Sequence, residues 1–142
     1  MTGPNRALHA TTVAWRGTAV LITGAPGSGK SALALGLMAW GCDLVADDQT
    51  LLAVRDQALW ATAHPRLAGR IEARGIGILT ARAAPAARLG LAVAMDRPEA
   101  GRLPPARTLT VMGVTLPLLH NPGTGHFAAA ILQYLKALKD SA

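Results

Sequence analysis

The segment from Gly24 to Ser31 has the spacing of a phosphate-binding loop. It reads GAPGSGKS, fits G-x-x-x-x-G-K-[ST], and directly follows the apolar run 19–23. In such a loop, consecutive backbone N–H groups bind phosphate oxygens, the lysine neutralises the outer phosphates, and the hydroxyl can ligate Mg²⁺. A chance glycine turn is the alternative, but a predicted strand before the loop and a predicted helix after it argue against that. The residues predicted to bind the nucleotide are Gly24, Ala25, Pro26, Gly27, Ser28, Gly29, Lys30 and Ser31.

Asp47 and Asp48 are the acids best positioned for chemistry. They end the predicted strand that follows the loop helix, at the carboxyl edge where α/β sheets bind their ligands. Because adjacent strand residues point to opposite faces, one carboxylate can face the phosphates while the other supports a neighbouring element. A carboxylate here could accept the proton of an attacking hydroxyl. The alternative is that both acids only begin a turn, where aspartate is common.

Glu72 is a candidate metal ligand, because it could supply a second carboxylate for Mg²⁺. It lies between Arg70 and Arg74, so a surface ion-pair cluster explains it equally well. The histidines show no paired spacing of metal ligands, and each taken alone is an ordinary surface or capping residue. They are His9, His64, His120 and His126.

The size and composition predict one cytoplasmic domain spanning residues 1–142. With 51% apolar residues the chain can bury a core, but no apolar run is long enough to cross a membrane. The N-terminal segment lacks the pattern of a signal peptide. Because Cys42 is the single cysteine, an internal disulfide and a zinc knuckle are excluded, and we expect a buried or idle thiol.

The net charge of +6 does not predict nucleic-acid binding. The arginines are scattered without a run, and aromatic residues amount to 4%, which leaves few platforms for base stacking. We expect instead an attraction to phosphates or to an acidic protein surface.

Apolar and β-branched runs separated by turn residues predict several strands and two helices. The predicted helices span 31–40 and 124–139, residues 83–88 are expected to be a connection, and 96–101 a polar loop. The strands are predicted as hairpins at 11–15/19–23, 51–54/58–61 and 108–112/114–118, and as single strands at 43–48, 75–79 and 89–95.

Together the motifs resemble one family, the C-terminal catalytic domain of bacterial HPr kinase/phosphorylase, especially its short alphaproteobacterial versions. The resemblance covers the chain from about His9 to the final helix. It rests on His9 fifteen positions before Gly24, on the phosphate loop, and on the runs LVADD at 44–48 and IEARGIGI at 71–78. It implies a fold similar to the nucleotide domain of phosphoenolpyruvate carboxykinase: an α/β P-loop domain with a mixed, largely antiparallel sheet and few helices.

The resemblance also implies roles for individual residues. His9 would be an active-site histidine near the phosphates, and Lys30 would stabilise the transferring group. Asp48 would accept the proton of the substrate serine, and return it to the serine oxygen in the reverse reaction. Arg102 is the best match for a catalytic arginine. Ser31 and Glu72 would hold Mg²⁺.

The activity implied by the resemblance is ATP- and Mg²⁺-dependent phosphorylation of a serine on HPr or its nitrogen-pathway relative. No membrane or nucleic-acid partner is expected. Where the family has a proline-glycine-arginine-asparagine stretch linked with dephosphorylation, residues 121–126 read NPGTGH, so kinase activity is expected more strongly than phosphorolysis.

No N-terminal domain is expected before His9 and little of the family's C-terminal helical region is present, so a homo-oligomer is allowed but a hexamer is not predicted. The rival hypotheses are a P-loop kinase for a small metabolite and a nucleotide-binding regulatory module without catalysis.

Overall fold

The structure is a computed structural model that describes residues 5–140, without the side chains of residues 139 and 140. Residues 1–4, which belong to the N-terminal segment that lacks a signal-peptide pattern, lie outside the described residues. No helix in the described part of the chain is both long and apolar enough to span a bilayer.

Within residues 5–140 the chain forms strands connected mainly by short turns, and two helices. In chain order they are β1 (Arg6–Leu8), β2 (Thr11–Trp15), β3 (Thr18–Thr23), α1 (Lys30–Ala39), β4 (Asp43–Ala46), β5 (Thr50–Arg55), β6 (Ala58–Ala63), β7 (Arg70–Ala73), β8 (Gly77–Thr80), β9 (Ala87–Pro98), β10 (Thr108–Val111), β11 (Val114–Asn121) and α2 (Phe127–Asp140).

The main sheet is mixed and largely antiparallel. Its central path runs β1-β5-β6-β9-β3-β2-β4, and β11 adds to β9 while pairing with β10. Only the pairs β3/β9 and β9/β11 are parallel among its ladders in the described chain. The β7–β8 hairpin forms a separate two-stranded sheet. The fold class predicted from the sequence is therefore confirmed.

The central strand β3 is buried on both faces, which explains its uninterrupted apolar sequence. Val20 and Ile22 belong to a core shared with Leu37 of α1 and Leu135 of α2. Leu21 points to the other face and packs in a second core with residues of β5, β6 and β9. The two cores fix the end of β3, and with it the start of the phosphate loop.

The three predicted hairpins are confirmed, and other boundaries need correction. The predicted loop 96–101 is wrong at residues 96–98, because β9 continues to Pro98, which pairs with Asn121 of β11. The predicted connection 83–88 is wrong at its last two residues, where β9 begins. The predicted strand 75–79 begins instead at Gly77 and has a partner, β7, that the sequence did not indicate. The second helix begins at Phe127, three residues later than predicted.

Candidate active site

The phosphate loop connects the end of β3 at Thr23 to the start of α1 at Lys30. Two of its glycines show why the backbone needs this residue type. Gly29, directly before the helix, has φ 101°, in the left-handed region that glycine adopts at little cost. Gly24 has φ 145°, and a Cβ atom there would lie 2.4 Å from Ser28 Oγ. The loop thus curls tightly because these two positions carry no side chain.

Lys30 lies inside the curve of the loop. Its side chain is mostly buried, and Nζ donates hydrogen bonds to the carbonyl oxygens of Gly24 at 2.8 Å and Ala25 at 3.2 Å. The ammonium group is therefore fixed next to the loop backbone rather than extended into solvent. A fixed positive charge beside the N-terminus of α1 is suited to binding an anion.

Asp47 connects three elements around the loop. Its Oδ1 accepts hydrogen bonds from Thr11 Oγ1 at 3.0 Å and Ser31 Oγ at 3.1 Å, and its Oδ2 accepts one from the backbone N–H of Glu72 at 3.0 Å. Both aspartates follow β4 rather than ending it, so the alternation of strand faces does not explain their directions. Asp47 contacts both the loop hydroxyl and β7, whereas the Asp48 side chain is directed to His9.

The Asp48 carboxylate lies within hydrogen-bond distance of the His9 ring. The distance between His9 Nε2 and Asp48 Oδ1 is 3.0 Å, and the two side chains are 59% and 74% exposed. Asp48 has φ 65°, and its backbone N–H donates to Thr11 Oγ1 at 3.3 Å. Thr11 therefore contacts both aspartates, and the exposed His9–Asp48 pair is linked through Thr11 and Asp47 to the loop hydroxyl of Ser31.

Glu72 lies on β7 and lines the same cleft as Lys30 and Ser31. This cleft has a volume of about 1170 Å³ and lies between the phosphate loop and the β7–β8 hairpin. Among the ion pairs of the described residues, none joins Glu72 to Arg70 or Arg74. The structure therefore does not support the alternative that Glu72 belongs to a surface ion-pair cluster.

The side chains around Ser31 fit a magnesium ion by their chemistry. The Ser31 hydroxyl and the carboxylates of Asp47 and Glu72 are hard oxygen donors, and Mg²⁺ in kinases is held by one or two carboxylates together with substrate phosphates. Within the described residues, no group of three or more His, Cys, Asp or Glu side chains is arranged to hold a metal. One hydroxyl and two carboxylates are a donor set of the type that binds Mg²⁺ jointly with the phosphates of a nucleotide.

Asp96 is a loop contact that the sequence analysis missed. Its Oδ2 accepts a hydrogen bond from the backbone N–H of Ala25 at 3.2 Å. It also lines a second cavity of about 520 Å³ on the other side of the loop, together with Gly24, Arg97 and His120. The sequence carries a signal for this contact, because Asp96 follows the apolar run 89–95 as Asp47 follows the apolar run 44–46, but the turn residues around Asp96 predict a polar loop.

Arg102 is not brought to the phosphate loop. It is exposed in the segment after β9 and lines neither of the two cavities described above. No hydrogen bond or ion pair within residues 5–140 joins it to the loop. The nearby arginine with a defined contact is Arg107, whose guanidinium donates to Glu99 and holds the pKa of that carboxyl below its ordinary value of 4.5.

The other histidines are also separate from the His9–Asp48 pair. His64 Nδ1 accepts a hydrogen bond from the backbone N–H of Arg66, and His126 contacts Thr124. His120 lines the second cavity, next to Asp96. His9 is thus the histidine that contacts one of the two predicted acids.

Comparison with known proteins assigns a family to this arrangement. A family model described as the HPr Serine kinase C-terminal domain matches residues 2–87, which is more than half of the chain. The chain belongs to this family. The predicted family resemblance is thereby confirmed.

Similar proteins in the HPr kinase family agree with this assignment. HPr kinase/phosphorylase from Limosilactobacillus reuteri (strain DSM 20016) is 46% identical over 77 residues, 54% of this chain and 24% of that protein. HPr kinase/phosphorylase from Bacillus cereus (strain B4264) is 40% identical over 77 residues, 54% of this chain and 25% of that protein. The match thus spans about a quarter of the length of these relatives.

A solved structure extends the similarity to the whole HPr kinase-like fold. The structure of the Hpr(Ser) kinase/phosphatase from Coxiella burnetii superposes with a TM-score of 0.80 at 27% sequence identity, and covers 96% of this chain and 99% of that chain. The structural match therefore extends past residue 87, where the match to the family model ends.

Proposed function

We propose that this HPr kinase family member is an ATP- and Mg²⁺-dependent protein-serine kinase whose acceptor is HPr or a related carrier protein. The observation that carries the proposal is the linkage of the exposed His9–Asp48 pair, through Thr11 and Asp47, to Ser31 of the phosphate loop. It puts a candidate proton acceptor and a candidate phosphate donor site within one hydrogen-bonded unit. The names of the relatives and of the Coxiella protein support the same reaction class.

The loop and Lys30 would bind the donor nucleotide. The backbone N–H groups at the start of α1 and the Lys30 ammonium would contact the phosphates, and their positive charge would offset the charge that spreads over the phosphate oxygens during transfer. Because Lys30 is already held against the loop carbonyls, little reorganisation is needed when phosphate binds.

Ser31 and Glu72 would hold the magnesium ion, and Asp47 would orient the Ser31 hydroxyl through its 3.1 Å hydrogen bond. When bound, Mg²⁺ neutralises phosphate charge and favours departure of the diphosphate. Asp47 also fixes β7 through the backbone N–H of Glu72. It therefore aligns both proposed metal ligands.

Asp48 would act as the proton acceptor. As the serine oxygen bonds to the γ-phosphorus and the bond to the β–γ bridging oxygen breaks, the hydroxyl proton passes to Asp48 and ADP leaves. His9, 3.0 Å away, would orient the carboxylate. The exposure of Asp48 supports a protein acceptor, because a serine on a folded domain can reach a carboxylate only where it is accessible.

The forward reaction is the main proposed activity, since residues 121–126 lack the arginine expected for phosphorolysis. If the reverse reaction occurs, Asp48 would return the proton to the serine oxygen as phosphate attacks the phosphoserine.

Arg102 is retained as a proposed catalytic arginine, which its loop would have to carry towards the phosphates. The proposed compartment is the cytoplasm, and a homo-oligomer is compatible with the proposal.

The test is a phosphotransfer assay with purified protein, HPr and ATP labelled at the γ-phosphate. We expect serine phosphorylation of the carrier by the wild type and strong loss in Asp48→Asn, with Asp56→Asn as the control because Asp56 lies in the β5–β6 turn. No carrier phosphorylation by the wild type would overturn the proposal. Transfer to a metabolite pool without a carrier would favour a small-molecule kinase. Nucleotide binding without turnover would favour a regulatory module.

A further inference from the structure

The cleft beside the phosphate loop extends well past the residues proposed to bind phosphate and metal. From Lys30 and Ser31 it continues along α1 to Ala32 and Leu35, and the facing wall is the β7–β8 hairpin. Its volume of about 1170 Å³ exceeds what a triphosphate alone would fill. Ala32 and Leu35 are three residues apart, so they are neighbours on one face of α1.

The outer end of this cleft is apolar although it is open to solvent. Ile76 is 75% exposed and Ile78 is 72% exposed, and both line the cleft opposite the helix. Large aliphatic side chains exposed to this degree at the rim of a cleft commonly mark a binding surface. Leu35 completes the apolar wall on the side of α1.

The register of the β7–β8 hairpin places the carboxylate of Glu72 next to the apolar surface of the cleft. Glu72 and Ile78 are directly opposite in the β7–β8 ladder, so their side chains leave the same face of the hairpin. Opposite residues in an antiparallel pair have Cβ atoms about 5 Å apart. The carboxylate of Glu72 and the aliphatic side chain of Ile78 are therefore neighbours on the cleft wall. A nucleotide has the same order of polar and less polar parts, because its charged phosphates are followed directly by the nucleoside.

We infer that the nucleoside of the donor nucleotide lies between Leu35 of α1 and the side chains of Ile76 and Ile78 on the β7–β8 hairpin. The inference rests on the nucleotide binding in the proposed function. We place the nucleoside there, and not another ligand, because the apolar walls and the phosphate loop line one continuous cavity. A protein acceptor that used the same apolar surface would give a different experimental result.

The proposed nucleoside site predicts how well the protein distinguishes ATP from GTP. The side chains of Leu35, Ile76 and Ile78 contact a base by its faces and offer no hydrogen bond to its edges. Arg74, the polar side chain at the hairpin turn that lines the cleft, can only donate, so it cannot accept from the adenine amine but can donate to O6 or N7 of guanine. We therefore expect no preference for ATP over GTP.

The test compares the binding of Mg·ATP, Mg·GTP and inorganic tripolyphosphate by calorimetry for the wild type, Ile76→Ser and Ile78→Ser. Each substitution removes apolar contact with the nucleoside but none with phosphate, so we expect about tenfold weaker binding of both nucleotides. Tripolyphosphate binding should change less than twofold. Leu67→Ser is the matched control, because Leu67 is 46% exposed and does not line the cleft.

Several results would overturn the inference. These are nucleotide affinity unchanged in both isoleucine variants, an equal loss for tripolyphosphate, or a preference for ATP over GTP greater than tenfold. If the variants bind nucleotide normally but the KM for the carrier rises, the apolar surface contacts the acceptor instead. These results can be distinguished from failure of the proposed kinase function. In that case the protein would not phosphorylate the carrier, but its nucleotide affinities could still be measured. Ile78→Ala serves as a milder variant if serine disturbs the hairpin.

Discussion

His9 Nε2 lies 3.0 Å from Asp48 Oδ1, although the two residues are 39 positions apart in the sequence. The contact follows from the pairing of β1 with β5, in which Leu8 is opposite Thr50. His9 directly follows the first of these strands and Asp48 closely precedes the second. A short, mostly exposed strand at the edge of the sheet therefore positions the histidine of the proposed site.

The first prediction concerns the His9–Asp48 pair. Asp48→Asn should lower the rate of phosphotransfer by a factor of about 10² to 10⁴, the usual contribution of a general base. The amide keeps the shape of the side chain, and asparagine tolerates the positive φ of 65° at this position. His9→Asn should have a smaller effect, because His9 orients Asp48 without taking the proton. Single-turnover rates with saturating carrier provide the measurement.

Asp56→Asn is the control for that experiment, since Asp56 also has a positive φ, 53°, but lies in a hairpin turn. It should retain the wild-type rate. An Asp48→Asn variant that transfers phosphate as fast as Asp56→Asn would exclude Asp48 as the base.

The second prediction concerns Asp47, which accepts hydrogen bonds from Thr11, Ser31 and the backbone of Glu72. Thr11 is fully buried, so Asp47→Ala leaves a buried hydroxyl without this acceptor. We expect a loss of about 1–3 kcal/mol in the free energy of unfolding, together with weaker Mg·nucleotide binding. Urea unfolding and calorimetry measure the two effects.

Asp43→Ala provides the comparison at the other end of β4. Asp43 pairs with Arg82, whose side chain is 77% exposed, and pairs of this kind contribute at most about 1 kcal/mol. Equal destabilisation by the two substitutions would mean that Asp47 contributes no more than a surface ion pair.

Sequence patterns predicted the parts of the fold that depend on local chemistry. The phosphate loop, the turns of the three hairpins and both helices follow from glycines, turn residues and apolar periodicity within short windows. The parts that were missed depend on distant partners. β1 has three residues and no alternating pattern, and it exists through its pairing with β5. β9 extends through its pairing with β11.

The same distinction explains which site contacts were predictable. Lys30 and Ser31 act within the loop motif, so their positions follow from local sequence. Asp96 contacts Ala25 across 71 residues, and only the parallel pairing of β3 with β9 brings them together. The role predicted for Arg102 rests on resemblance alone, and no strand pairing connects its segment to the phosphate loop within the described chain.

The third prediction concerns Gly24. In Gly24→Ala the new methyl group would lie 2.4 Å from Ser28 Oγ, which can rotate away, but it would also lie 3.3 Å from the backbone N of Asp96, and φ 145° is unfavourable for alanine. The loop backbone is therefore strained, so we expect at least about tenfold weaker nucleotide binding and a loss of about 1–3 kcal/mol in stability. Gly113→Ala is the control, because φ there is 79° but no heavy atom lies within 4 Å of the added carbon. Nucleotide affinity unaffected by Gly24→Ala would contradict the close packing of the loop.

The fourth prediction concerns Cys42, which is buried as the sequence suggested. Burial, with a smaller contribution from Asp43, raises the pKa of its thiol from 9.0 to about 11. At pH 7.5 the thiolate fraction is then about a hundredfold below that of an exposed cysteine with the ordinary pKa. Modification by a disulfide reagent should be at least about a hundredfold slower in the native protein than in urea. Comparable rates in the two states would show that the thiol is accessible.

The raised pKa of Cys42 also predicts how stability depends on pH. The native state favours the protonated thiol, so this contribution is fully present below pH 9 and is lost as the pH rises from about 9 towards 11, where the unfolded chain ionises first. The free energy of unfolding of the wild type should therefore fall between pH 8.5 and 10.5 relative to that of Cys42→Ala. Urea unfolding at a series of pH values measures the difference. Parallel curves for the two proteins would mean that the thiol has the same pKa in both states.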